Sequence, residues 1–168
     1  MATRNDPSAI PGWSAIAPAA AMLIAMVLTS CGPTYRGYQH RPYTVRGQYY
    51  QPIAPRDAVG LRERGVASWY NEHKFLWFGG TTSLGEKFKA GAMAGAHKTL
   101  PLPCKVRVTN LRNGRKVVVR LNDRGPFIAG RIIDLTPAAA RSLGFADQGI
   151  APVEIEVLSV GDSQWKIR

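Results

Sequence analysis

Two cysteines and three histidines in 168 residues leave little for cross-linking or metal chemistry. One disulfide is the most the chain can form, far short of the dense framework of a small secreted scaffold. His40, His73 and His97 show neither a His-Glu-x-x-His pattern nor paired spacing, and a spare cysteine is no zinc set, so neither a metal nor another cofactor is expected. Acidic residues are half as frequent as basic ones, 11 against 22, giving a net charge of +11. The excess is spread along the chain without the Lys/Arg block of a nucleic-acid tail, and nucleic acid is not an expected partner. No apolar stretch reaches the ~20 residues that cross a bilayer comfortably, and no solenoid-type repeat occurs.

What is present begins with residues 1–30: a start carrying Arg4 and Asp6, a mostly apolar run over 15–28, then Thr29-Ser30 before Cys31. This reads as a secretory signal, with a single transmembrane anchor as the alternative. Leu28-Thr29-Ser30-Cys31 resembles the lipobox of bacterial lipoproteins, in which cleavage precedes the cysteine and the cysteine is acylated. Cys31 is therefore the expected lipidation site, tying the protein to a membrane through lipid. An Asp after that cysteine would favour retention at the inner membrane; Gly32 points instead to the periplasmic leaflet of the outer membrane. With Cys31 acylated, Cys104 has no partner within the chain. It shares a strand face with Val106 and Val108 and belongs in a core; a nucleophilic role would need a nearby His, and His97 is seven residues upstream. Removing residues 1–30 takes away Arg4 and Asp6, so the net charge stays at +11. In such a compartment a basic surface suits an anionic polymer such as cell-wall glycan, or anionic head groups; simple solubility is the plainer reading.

Residues 31–62 mix Pro33, Pro42, Pro52 and Pro55 with Tyr, Gln, Gly and Arg and show neither strand nor helix periodicity, so they read as a tether. The part from Arg41 to Pro52 is too aromatic for a pure spacer, which leaves room for docking on the domain. From Gly65 short strand candidates alternate with turns, at residues 66–70, 104–110, 116–121, 131–135 and 153–158, with Asn113-Gly114 as a hairpin signal between the second and third. One helix stands out: Thr136 as N-cap, Pro137 in its first turn, residues 138–143 as its body, Gly144 as its left-handed stop. Short strands with one short helix predict an all-β fold, a small β-barrel over about 63–160, followed by a tail at 161–168.

Val119 to Leu135 carries the strongest chemical signal. Asp123 lies in an Asn/Asp/Gly/Pro turn between two strand-like runs, so rigid strands set where its carboxylate points. It is either a proton donor facing a cleft, or a turn residue paired with Arg120 or Arg124. Glu86, in a Gly-Glu-Lys loop, is either a solvated charge or a second carboxylate acting on Asp123. His97 either caps the loop before Pro101 or orients a substrate. Trp69, Tyr70, Phe75, Trp77 and Phe78 are either core residues or platforms for pyranose rings.

Four stretches taken together, GVASWY from Gly65, GEKF from Gly85, AHKTLPL from Ala96 and NDRGPF from Asn122, resemble the rare lipoprotein A (RlpA) family, and the likeness continues through GRIIDL from Gly130 and the helix after it. It covers about residues 65–159. The loop from Phe75 to Leu84 departs from the family pattern, being bulkier and poorer in Gly and Asn. The resemblance implies a six-stranded double-psi β-barrel with one or two short helices, related to plant expansins, in an envelope lipoprotein. Its active members are lytic transglycosylases acting on peptidoglycan glycan strands. By motif match it also implies Glu86, His97 and Asp123 as the catalytic set, with Arg124, Trp69 and Tyr70 as substrate-binding candidates. A barrel that binds glycan without cutting it, as expansins do, is the other reading. The sequence stops at Arg168 without the C-terminal glycan-binding (SPOR) module many relatives carry, so binding is expected to come from the barrel itself.

Overall fold

The computed structural model describes residues 39, 41–70 and 80–161; the expected signal segment, Cys31, Phe75, Trp77, Phe78 and the tail from 162 lie outside them. In chain order the elements are β1 (Tyr43–Val45), β2 (Gln48–Tyr50), α1 (Pro55–Ala58), β3 (Arg62–Trp69), β4 (Ala94–His97), β5 (Cys104–Asn110), β6 (Lys116–Asp123), β7 (Arg131–Leu135), α2 (Pro137–Leu143) and β8 (Ile150–Val160). Strands β3 to β8 close a barrel in the order β3-β7-β4-β6-β5-β8. β3 runs parallel to β7 and β4 parallel to β6, while the other neighbours are antiparallel. This interlocking of two parallel pairs is the double-psi β-barrel, and closure leaves none of its strands with an unpaired edge.

Alternation fills the interior. Cys104, Val106 and Val108 of β5 face Val119 and Leu121 of β6, Ile133 and Leu135 of β7, and Ala151, Val153, Ile155 and Val157 of β8, all buried. Burial pushes the Cys104 thiol up to about 12, so it stays an inert core residue. Helix α2 is capped as its sequence predicts: the Thr136 hydroxyl accepts from the Ala139 N–H, Pro137 sits in the first turn, and Gly144 turns left-handed at φ 73°. Its buried Ala139, Ala140 and Leu143, with Phe145 beyond, complete the core.

Two segments differ from their sequence reading. The described part of the stretch read as a tether is folded: β1 and β2 form a hairpin whose two-residue turn puts Arg46 at φ 50° and Gly47 at φ 79°. Three-residue strands are too short to print a period, and such a hairpin holds only because it packs on a larger body. Strand β4 was not predicted at all. Its Ala-Gly-Ala-His sequence lacks the β-branched signature, because the strand is wedged between β6 and β7. A Cβ added to Gly95 would sit 2.8 Å from the Asp134 carbonyl oxygen and 3.1 Å from Leu135.

Backbone cannot retreat from such a contact as a side chain can. Gly95→Ala is therefore expected to cost about 1–3 kcal/mol, the range for forcing extra carbon into a packed interior. The measurement is a urea melt, in which a midpoint equal to that of the parent protein would refute the close approach.

Candidate active site

Strand β6 ends at Asp123, and the register sets its surroundings. Ala96 of β4 is paired with Asp123 on one side and with Asp134 of β7 on the other, and Asp134 is paired in turn with Ser68 of β3. Four neighbouring strands thus lay Ser68, Asp134, Ala96 and Asp123 in one row, with only an alanine methyl between the two carboxylates. They open into a cavity of about 170 Å³ walled by Tyr70, Thr82, Phe88 and Phe127.

Asp123 is held by one oxygen. Its Oδ1 accepts from the Ser83 N–H at 2.9 Å, the Ser83 hydroxyl at 2.6 Å and the Arg124 N–H at 2.8 Å. Among the described residues nothing hydrogen-bonds Oδ2, so that oxygen is available to a ligand. Asp134 accepts a hydrogen bond from the Ser68 hydroxyl. Burial nevertheless raises its proton affinity above the ordinary carboxylate range, and the charge of Asp123 adds to the rise. Tyr70 lies close enough that burial, with both carboxylates, pushes its phenol well above the usual value, so it remains a neutral donor. Tyr70 was expected at the site. Asp134 was not singled out, although alternation in Ile133-Asp134-Leu135 turns it away from the core; which residues it would meet there depends on strand pairing that no local pattern encodes.

The other expected site residues are placed differently. Glu86 makes a two-pronged ion pair with Arg120, both contacts at 2.7 Å, and accepts from the Asn122 amide at 2.7 Å. It lines a neighbouring cavity of about 430 Å³ with Arg120 and Asn122, and its backbone closes the 82–86 loop against Thr82. It thereby steadies the residue next to Asp123. His97 is buried beneath β4, where its Nδ1 accepts from the N–H groups of Thr99 and Leu100 at 3.1 and 3.0 Å. An accepting Nδ1 places the ring proton on Nε2, which lies 3.1 Å from Glu63. That hydrogen bond holds the Glu63 carboxyl below its usual range. His97 thus shapes the loop that follows it, as its capping alternative describes, and does not line the Asp123 cavity.

Arg124 lines the Asp123 cavity. Its guanidinium is spent on carbonyls: those of Leu100 at 2.6 Å, Lys98 at 3.3 Å, His97 at 3.4 Å, and Gln39. A side chain so engaged fastens loops together at the wall of that cavity. Trp69 donates its indole N–H to the Ala146 carbonyl at 2.9 Å and packs against the core, while the next residue, Tyr70, reaches the cavity. The reason is the strand's own alternation.

Known proteins resemble this chain over the same region. The lytic transglycolase family model matches residues 62–155. The endolytic peptidoglycan transglycosylase RlpA of Pseudomonas aeruginosa strain UCBPP-PA14 is 51% identical over 124 residues, which is 74% of this chain and 34% of that protein. Proteins of the same name are 47% identical in Neisseria meningitidis serogroup A, covering 74% of this chain and 50% of theirs, and 46% identical in Campylobacter jejuni, covering 73% and 43%. The chain thus spans between a third and half the length of these curated relatives.

The raised proton affinity of Asp134 has a thermodynamic sign. Stability contributed by this group is present below the unfolded carboxylate range and is lost as pH rises through the folded value. Asp134→Asn keeps an acceptor for Ser68, so it is expected to raise the thermal midpoint at neutral pH and to flatten its slope above the ordinary carboxylate range. A midpoint at pH 7 lower than the parent's would contradict that assignment.

Proposed function

Because this chain belongs to the lytic transglycolase family, whose model matches it over residues 62–155, we propose that it cleaves peptidoglycan as an endolytic lytic transglycosylase. The reaction breaks the β-1,4 bond between N-acetylmuramic acid and N-acetylglucosamine. The observation that carries this reading is Oδ2 of Asp123, unpartnered among the described residues, at the edge of a cavity walled by Tyr70, Phe88 and Phe127.

A glycosidic oxygen is a poor leaving group until it receives a proton, while positive charge develops on the departing ring. Asp123 delivers that proton from Oδ2, with Oδ1 fixed by its three donors. As the C1–O bond breaks, the 6-hydroxyl oxygen of the same muramoyl residue bonds to C1 and its proton passes to the Asp123 carboxylate. The acid is thereby restored, no water is consumed, and the product carries a 1,6-anhydro end. Asp134, across the Ala96 methyl, is a second carboxyl whose raised proton affinity keeps a proton beside Asp123, and the neutral Tyr70 hydroxyl donates to a sugar oxygen. Glu86 and His97 contribute by holding Asn122 and the 97–100 loop. That both side chains are taken up by protein partners is also what favours the second reading, a barrel that binds glycan without cutting it.

We further propose that residues 1–30 direct export, that Cys31 carries the lipid, and that the protein faces the periplasm from the outer membrane. The lipobox-like Leu28-Thr29-Ser30-Cys31 and the following Gly32 support this. The net charge of +11 would also draw in an anionic polymer.

Purified protein incubated with glycan strands is expected to release 1,6-anhydro ends detectable by mass spectrometry, and Asp123→Asn to lower the rate by about 100-fold or more. New reducing ends in their place would identify a hydrolase; sacculus binding with no new ends would identify the binder. In cells, labelled palmitate is expected to enter the parent protein and not Cys31→Ala, and equal labelling of the two would remove the anchor.

A further inference from the structure

The family match begins at residue 62, yet the chain before it reaches into the site. Gln39 forms a β-bridge with Leu102, its N–H donating to the Leu102 carbonyl at 3.0 Å. From that fixed point its side-chain amide donates to the Ser83 carbonyl, and its own carbonyl accepts from Arg124. Ser83 and Arg124 are the residues whose N–H groups, with the Ser83 hydroxyl, hold Asp123 Oδ1. One residue outside the family domain therefore grips both of the neighbours that grip the acid.

The loop of Ser83 has no barrel strand of its own. Among the described residues it is held by a bridge between Thr81 and Lys87, by the closure between Thr82 and Glu86, and by one backbone bond to β6, from the Leu84 N–H to the Asn122 carbonyl at 3.4 Å. Gln39 supplies a tie from a different part of the chain, and the hairpin behind it is anchored in the same place. Tyr43 donates its hydroxyl to the Lys98 carbonyl at 2.6 Å, and the Arg124 guanidinium lies 5.5 Å from the Tyr43 ring centre. The segment is thus locked onto the loop and the arginine that frame Asp123.

We propose that Gln39 is a positioning residue of the active site, setting the place of Asp123 through Ser83 and Arg124, so that the catalytic unit extends beyond the family domain. The inference rests on the transglycosylase reading for what Asp123 does. Hydrogen bonds fall off within fractions of an ångström, and a misplacement of about 1 Å in a reacting group costs on the order of 100-fold in rate. The side-chain link to Ser83 is lost in Gln39→Ala, while the backbone links to Leu102 and Arg124 remain and keep the segment docked.

The test uses the full chain and two readouts. In Gln39→Ala, kcat for release of anhydro ends is expected to fall at least about tenfold with KM changed less than about twofold. Amide hydrogen exchange followed by NMR is expected to quicken about tenfold at Ser83 and Arg124 while Val106 and Ile155 in the barrel keep their protection. Leu111→Ala, at an exposed position in the β5–β6 loop, is the control that alters neither. Unchanged kcat in Gln39→Ala, or a loss of kcat without faster exchange at those two amides, overturns the proposal. Should the parent protein itself release no anhydro ends, the transglycosylase reading fails, and exchange at Ser83 and Arg124 alone decides whether Gln39 holds the site.

Discussion

A guanidinium drawn out of water must recover its hydrogen bonds within the protein, and Arg124 recovers them from carbonyls in two separate parts of the chain. Burial lowers its proton affinity, the Tyr43 ring covers it, and the carbonyls of residues 39, 97, 98 and 100 converge on its fork. A lysine could not span that set, because its charge is compact and its donors do not lie in a plane. The backbone N–H of the same residue holds Asp123. Side chain and main chain of one arginine thus bind the N-terminal segment, the loop after β4 and the end of β6 into a single frame around the carboxylate.

The barrel contributes a different constraint, spacing. Two carboxyl groups can face one cavity only if the strands carrying them are held apart by a third, and β4 provides that separation with residues small enough to let β6 and β7 approach. Asp123 and Asp134 then experience different surroundings: three donors on one oxygen for the first, burial and a single hydroxyl for the second. Two like groups placed so differently can divide the tasks of proton transfer and charge stabilisation, which identical environments would not allow.

Most of the other acidic groups near the barrel are committed to bases. Glu86 pairs with Arg120, Glu63 with His97, and Glu154 and Glu156 form a ladder with Arg62, Arg64 and Arg107 along β3, β8 and β5. The ladder lies on the outer face, where water and salt screen each pair, so its use is in register and solubility more than stability. With so much of the negative charge neutralised locally, the long-range field of the molecule is set by its excess of basic residues, and that field favours an anionic polymer.

Patterns that act over a few residues were legible in the amino-acid sequence: the alternation of β5 and β7, the Asn113-Gly114 hairpin, the Thr136, Pro137 and Gly144 punctuation of α2, and Asp123 in its turn. Each depends on local backbone preference or on a two-residue period, which the chain states directly. The motif resemblance added the double-psi barrel, whose crossings no period reveals. Tertiary structure alone decided the rest. It made a strand of Ala94–His97, folded residues 41–50 onto the barrel, brought Asp134 near Asp123, and gave Glu86, His97 and Arg124 their protein partners. The physical reason is that a side chain's task is set by the partners it meets, and here those partners come from strands and loops tens of residues away, joined only when the sheet closes.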